Sequence, residues 1–159
     1  NLQSPFIEKA IFESCKIKKN IVEKDEKEKN LRKVLNFGHT FAHAYEAACG
    51  YSNKLNHGEA VILGITSAVK FALKIKILKK SECNEILSHV INSKLPCNLK
   101  DYFSTIHINK IISYMIKDKK NNSKNIKIIL LKKIGYPVIN NSYNKNSLKL
   151  FLKRELINR

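Results

Sequence analysis

Ala60-Val61-Ile62-Leu63-Gly64-Ile65-Thr66-Ser67-Ala68-Val69-Lys70-Phe71-Ala72-Leu73 is the stretch that decides the fold class. Nearly every residue in it is small or apolar, so as a helix it offers water no wide polar face. Such a helix belongs in the middle of a bundle. Its longest nearly unbroken apolar run, residues 60–65, is far too short to span a bilayer.

Outward from this centre the periodicity stays helical. A helix opening near Asn30 carries Leu31, Val34, Leu35, Phe41, Ala42, Tyr45 and Ala48, and Gly50 is placed to stop it as a C-terminal cap. Further upstream, Ser4-Pro5 reads as a capping hydroxyl followed by proline at the first helical position. Phe6, Ile7, Ala10, Ile11, Ser14 and Cys15 then follow helical spacing, and the charged run 23–29 reads as a solvated end or linker. Downstream, Ser81 can cap a fourth helix that ends before Pro96, and a fifth spans 109–117. The Asn/Lys-rich run 118–127 reads as an exposed loop. The β-branched residues 126–131 suit a strand, with 135–139 returning as its partner. An amphipathic helix over 147–157 closes the chain. The expectation is a mainly α, multi-helix single domain over residues 1–159 with one small β-hairpin.

At 159 residues, 43% hydrophobic and 27% charged, the chain has the make-up of one folded domain. No secretory leader is read before the first helix, and residue 1 is Asn rather than Met, so a cytoplasmic piece of a longer protein is expected. The net charge of +17 invites a nucleic-acid reading. Its make-up argues against one: 27 Lys stand beside only 3 Arg, spread from Lys9 to Lys153. Arg is the residue whose planar fork reads bases and phosphates bidentately. Lys, Asn and Ile together make about two-fifths of the chain, and all three can be written with A/T-only codons. The charge would still attract anionic small molecules. Cys15, Cys49, Cys83 and Cys97 show no metal-finger spacing and read as buried free thiols.

The densest cluster of reactive types is Asn36-Phe37-Gly38-His39-Thr40-Phe41-Ala42-His43, with His57-Gly58-Glu59 following. His39 and His43 stand four apart and share one helix face. Two imidazoles at that spacing can hold a transition metal, or can serve as core and capping histidines. Gly38 inside a helix costs about 1 kcal/mol relative to Ala, a cost that makes sense if a ligand or another backbone approaches closely. Glu59 can simply answer the helix dipole. His89 and His107 read as structural or surface groups. The five glycines form no phosphate-cradling loop, so a nucleotide cofactor would have to be held by residues outside this chain.

The strings Leu31-Arg32-Lys33-Val34-Leu35-Asn36-Phe37-Gly38-His39-Thr40-Phe41-Ala42-His43-Ala44-Tyr45-Glu46-Ala47 and His57-Gly58-Glu59-Ala60-Val61 resemble two motifs of 3-dehydroquinate synthase, "R..LN.GHT.GHA.E" and "HGEAV". Residues 15–28, ending in Asp25-Glu26-Lys27-Glu28, resemble its "K..VV..DE.E" helix and turn. Asp118-Lys119-Lys120 resembles its late "DKK". Two departures stand out: Ala42 where the family commonly has Gly, and a loop at 53–56 one residue longer than usual.

The resemblance implies the helical C-terminal domain of that enzyme without its N-terminal α/β NAD-binding domain. It implies zinc, or another divalent metal, held by His39 and His57 and by a glutamate upstream of residue 1. His43 then becomes a substrate contact rather than the partner ligand of His39. Lys18, Arg32, Asn36 and one of Lys119 or Lys120 fall at substrate-binding positions, cations and an amide suited to an anionic sugar phosphate. The implied reaction is the NAD-dependent conversion of 3-deoxy-D-arabino-heptulosonate 7-phosphate to 3-dehydroquinate plus phosphate. The complete enzyme is expected to be a homodimer, with no membrane association, and this segment alone to be inactive. The rivals are another sugar-phosphate cyclase, a related metal-dependent polyol dehydrogenase, and a lysine-rich nucleic-acid-binding helical domain.

Overall fold

The computed structural model describes residues 3–117 and 124–157. The chain divides into two compact units, Asn1–Asn36 and Phe37–Arg159.

In the first unit α1, Phe6–Lys24, is followed by a 3-10 helix, Leu31–Asn36. Pro5 occupies the cap position and no side chain caps the helix, so α1 opens one residue later than the Ser4-Pro5 pair suggests. No residue of α1 is buried, and Phe6, Ile11, Phe12 and Ile17 stand exposed.

The second unit holds α2, His39–Ala48, and α3, His57–Lys74, followed by α4, Lys80–Asn92, and α5, Ile108–Lys117. Four short strands come next: β1 Asn125–Lys127, β2 Leu130–Lys133, β3 Tyr136–Val138 and β4 Ser142–Asn144. The chain closes on α6, Lys145–Ile157. Helix α3 is the expected central element, with Ala60, Leu63, Ala68, Val69, Phe71 and Ala72 all within 1% of full burial. Around it pack Phe41 and Tyr45 of α2, Ile111 and Met115 of α5, and Leu148 and Phe151 of α6.

Several expectations need correction. The single helix read from Asn30 to Ala48 is two elements, because Gly38 adopts φ +83° between the 3-10 helix and α2. That left-handed backbone, open to glycine without penalty, breaks the α-helical hydrogen-bond ladder. Gly38 is therefore a cap rather than a helix-interior residue. The expected reason for it holds: a Cβ there would lie 2.7 Å from the Ile65 backbone nitrogen. Lys79, not Ser81, is the cap residue of α4. The hairpin is doubled: β2 pairs with β3, and outside it β1 pairs with β4, both antiparallel. The expected strand over 126–131 is interrupted between β1 and β2. Of the four free thiols only Cys83 is buried, and Cys15 is exposed. Gly50 does close α2, with its own N–H donating to the Ala47 carbonyl and Tyr51 N–H to that of Glu46. This is the six-to-one, five-to-two pattern of a Schellman end.

Candidate metal and substrate site

In the second unit the histidines meet because α2 and α3 touch through backbone. A Cβ added to Gly64 would sit 2.3 Å from the Gly38 carbonyl oxygen and 2.9 Å from the Ala42 nitrogen. No side chain larger than hydrogen fits there. The contact holds the first turn of α2 against α3, and a buried hydrogen bond of 2.7 Å between the Tyr45 hydroxyl and Ser67 Oγ ties the same two helices further along.

His39 is the first residue of α2, His43 lies one turn on, and His57 is the first residue of α3. Their ring centroids are 5.5 Å apart for His39–His43, 6.0 Å for His39–His57 and 6.3 Å for His43–His57. The i, i+4 pair therefore shares a face as expected, and the third imidazole arrives from the other helix. His39 is half-buried, and its Nδ1 lies 3.3 Å from the Phe37 carbonyl oxygen. His57 is exposed, and its Nδ1 lies 3.1 Å from Glu46 Oε1. A carbonyl and a carboxylate can only accept, so each Nδ1 is an N–H donor, and in the neutral imidazole Nε2 is then the nitrogen with the lone pair. That is the tautomer of a metal-ligating histidine whose second nitrogen is held by an outer partner. Burial, reinforced by the neighbouring His43 and His57, holds the His39 imidazole below the ordinary histidine pKa, in the neutral form that ligates.

The donor set thus suits two ligands of a divalent metal. Among the described residues no group of three or more His, Cys, Asp and Glu is placed to hold one unaided. Glu59, beside His57, accepts the Asn56 N–H at 2.9 Å and so caps α3. His107 closes a turn by accepting the Ser104 N–H at 3.1 Å.

In the first unit, the run read as a solvated end or linker is mostly exposed and also forms an organised turn. The Asp25 carboxylate accepts N–H groups from Lys29, Asn30 and Arg32 at 2.9, 2.8 and 3.0 Å. Those donors, Arg32 first, draw its pKa below the usual carboxylate range. The Arg32 guanidinium donates to the Glu26 carbonyl at 2.8 Å, and Asn36 Nδ2 donates to Glu28 Oε1 at 2.7 Å. Two of the expected substrate contacts, Arg32 and Asn36, are therefore held by the acidic turn that precedes them. Lys18 is exposed on α1. Lys119 and Lys120 lie outside the described residues.

Sequence reasoning gave no role to Glu46, Asp25 or Glu28. For Glu46 a signal existed: residues 39, 43 and 46 follow i, i+4, i+7 and so line one face.

Comparison with known proteins adds the lineage. The 3-dehydroquinate synthase C-terminal family matches residues 1–121, and the chain belongs to that family. It is 56% identical over 155 residues to the 3-dehydroquinate synthase of Pelagibacter ubique, covering 98% of this chain and 42% of that protein. It is 37% identical to the enzyme of Bradyrhizobium diazoefficiens, covering 94% of this chain and 40% of that protein. The chain thus spans about two-fifths of the length of these curated relatives. Among solved structures it resembles 2-deoxy-scyllo-inosose synthase complexed with carbaglucose-6-phosphate, NAD+ and Co2+. That match has a TM-score of 0.64 at 23% identity, covering 80% of this chain and 36% of that one. It also resembles a 2-epi-5-epi-valiolone synthase from Streptomyces hygroscopicus with NAD+ and Zn2+ bound. There the TM-score is 0.69 at 20% identity, over 86% of this chain and 36% of that one. These likenesses establish the fold. Among the described residues no helix is long and apolar enough to cross a membrane.

Proposed function

We propose that this chain is the metal- and substrate-binding part of a 3-dehydroquinate synthase. The reaction is the elimination of phosphate from 3-deoxy-D-arabino-heptulosonate 7-phosphate and closure of the carbocycle of 3-dehydroquinate, within aromatic amino-acid synthesis. The observation that carries this reading is the 56% identity over 98% of the chain to an enzyme of that name. The convergence of three imidazoles from the two motif helices supports it.

His39 and His57 would each offer Nε2 to a zinc ion, which when bound would supply a Lewis acid for the substrate hydroxyl that NAD transiently oxidises. The exposed His43 imidazole can donate to or accept from a substrate hydroxyl. Lys18, Arg32 and one of Lys119 or Lys120 would hold the substrate's carboxylate and phosphate by charge-assisted hydrogen bonds, and the Asn36 amide would add a neutral contact. The net charge of +17 favours capture of such an anion. NAD would be held by the remainder of a complete synthase, which we place in the cytoplasm as a homodimer, so the 159-residue chain alone is inactive.

The test is phosphate release by the complete synthase carrying this segment, given NAD and zinc. His39→Ala and His57→Ala should each abolish zinc retention, whereas His43→Ala should keep zinc and turn over slowly. Zinc loss in His43→Ala with full occupancy in His57→Ala would reverse the ligand assignment. Turnover of a different sugar phosphate, with none of the heptulosonate phosphate, would move the protein to another cyclase.

A further inference from the structure

We infer that Glu46 is a positioning residue for His57: its carboxylate holds the Nδ1–H and thereby presents Nε2 as the ligating atom. The inference deepens the proposed metal site and rests on that reading.

The two ligand histidines are restrained very differently. His39 is half-buried and takes its tautomer from a main-chain carbonyl of its own entry turn. The His57 side chain is 61% exposed at the first position of α3, and nothing lies within 4 Å of where a Cβ on the next residue, Gly58, would be. The His39 and His43 rings flank the His57 ring at 6.0 and 6.3 Å, but ring contacts of that kind do not choose which nitrogen carries the proton. Among the described residues its hydrogen-bond partner is Glu46, whose side chain is only 15% exposed and whose Oε1 lies 3.1 Å from Nδ1.

Glu46 is itself fixed. Its neighbours Tyr45 and Ala47 are 0% and 4% exposed, and its carbonyl accepts the Tyr51 N–H at 2.9 Å in the Schellman end of α2. One residue therefore anchors both the chain leaving α2, through its main chain, and the imidazole opening α3, through its side chain. A free imidazole in water favours the tautomer with the proton on Nε2, which blocks the nitrogen a metal needs here. A carboxylate at Nδ1 inverts that preference and raises the ligand's basicity, and loss of such an outer partner typically weakens metal binding about 10–100-fold.

Two readouts test this, one of which needs no metal. Long-range 1H–15N spectra of the 15N-histidine-labelled chain, above the histidine titration range, should show His57 protonated at Nδ1. Glu46→Ala should transfer the proton to Nε2, and Glu46→Gln, whose amide oxygen still accepts, should keep it at Nδ1. In the complete synthase, chelator competition should give roughly 10–100-fold weaker zinc binding for Glu46→Ala, with Glu46→Gln recovering part of the loss. Thermal melts confirm that the variants are folded. A folded Glu46→Ala with His57 still protonated at Nδ1, or with wild-type zinc affinity, overturns the inference and reduces the pair to an interhelical strut. Failure of the wild-type complete synthase to bind zinc would sink the metal reading instead, and the metal-free spectra would still decide whether Glu46 sets the tautomer.

Discussion

The two units hold polar side chains in place by opposite means. In Asn1–Asn36 no residue of α1 is buried, and the order of the turn after it comes from carboxylates. Asp25 gathers three N–H groups, and Glu28 holds the Asn36 amide. In Phe37–Arg159 the histidines ride on helices locked by a glycine–glycine backbone contact over a core of fully buried aromatic and aliphatic side chains. The first arrangement depends on protonation state and solvent, the second on volume. Acid should therefore loosen the one and overpacking the other.

Gly64→Ala attacks the packed unit at its tightest point. Its Cβ would meet backbone atoms of Gly38 and Ala42, which cannot swing away as a side chain would. We expect a loss of about 3 kcal/mol or more, read in denaturant melts. A variant as stable as the wild type would show that the helices separate freely. Tyr45→Phe is milder: it strips the buried Ser67 hydroxyl of its 2.7 Å partner and should cost about 1–2 kcal/mol. No measurable change would mean that Ser67 finds another partner.

Charge should matter little to the packed unit. The Lys70–Glu155 pair, 2.7 Å long and about one-third to one-quarter exposed, should give a double-mutant coupling of about 0.5 kcal/mol, fading in salt. A coupling several times larger would blur the contrast between the units. Smallest in global terms is Asp25→Ala. It should leave the melting of the second unit unchanged while amide exchange speeds up at Lys29, Asn30 and Arg32. The folded-state pKa of Asp25 is depressed, so its contribution is complete above the unfolded carboxylate pKa and is lost as pH falls through the lower folded value. Protection of those three amides in the wild type, taken relative to intrinsic exchange at each pH, should be lost only below the ordinary carboxylate range. Loss of that protection near neutrality would assign the turn's order to something else.

Periodic apolar spacing made α3, α5 and α6 legible to within three residues, and a lone glycine after a helical run marked the end of α2. What local pattern concealed was set by partners distant in sequence. The break at Gly38 is dictated by Gly64, twenty-six residues away, and nothing in the 31–48 periodicity announces it. At the site, the His39–His43 face follows from spacing alone. The approach of His57 does not, and it entered through the family resemblance. The charged run 23–29 is largely exposed, as its composition suggests, but composition does not show that Asp25 and Glu28 hold neighbouring N–H groups.

The glycine contact also zones where this sequence is free to drift. Seven of its eight alanines lie in α2 and α3, and two of its five glycines form the contact between them. Glycine and alanine are written with G/C-rich codons, the reverse of the lysine, asparagine and isoleucine that dominate the rest. Of the 27 lysines α2 holds none and α3 two. A mutational bias can rewrite a surface residue by residue, but it meets a steric floor where two backbones leave room for one hydrogen atom. In this chain that floor lies directly beneath the histidines.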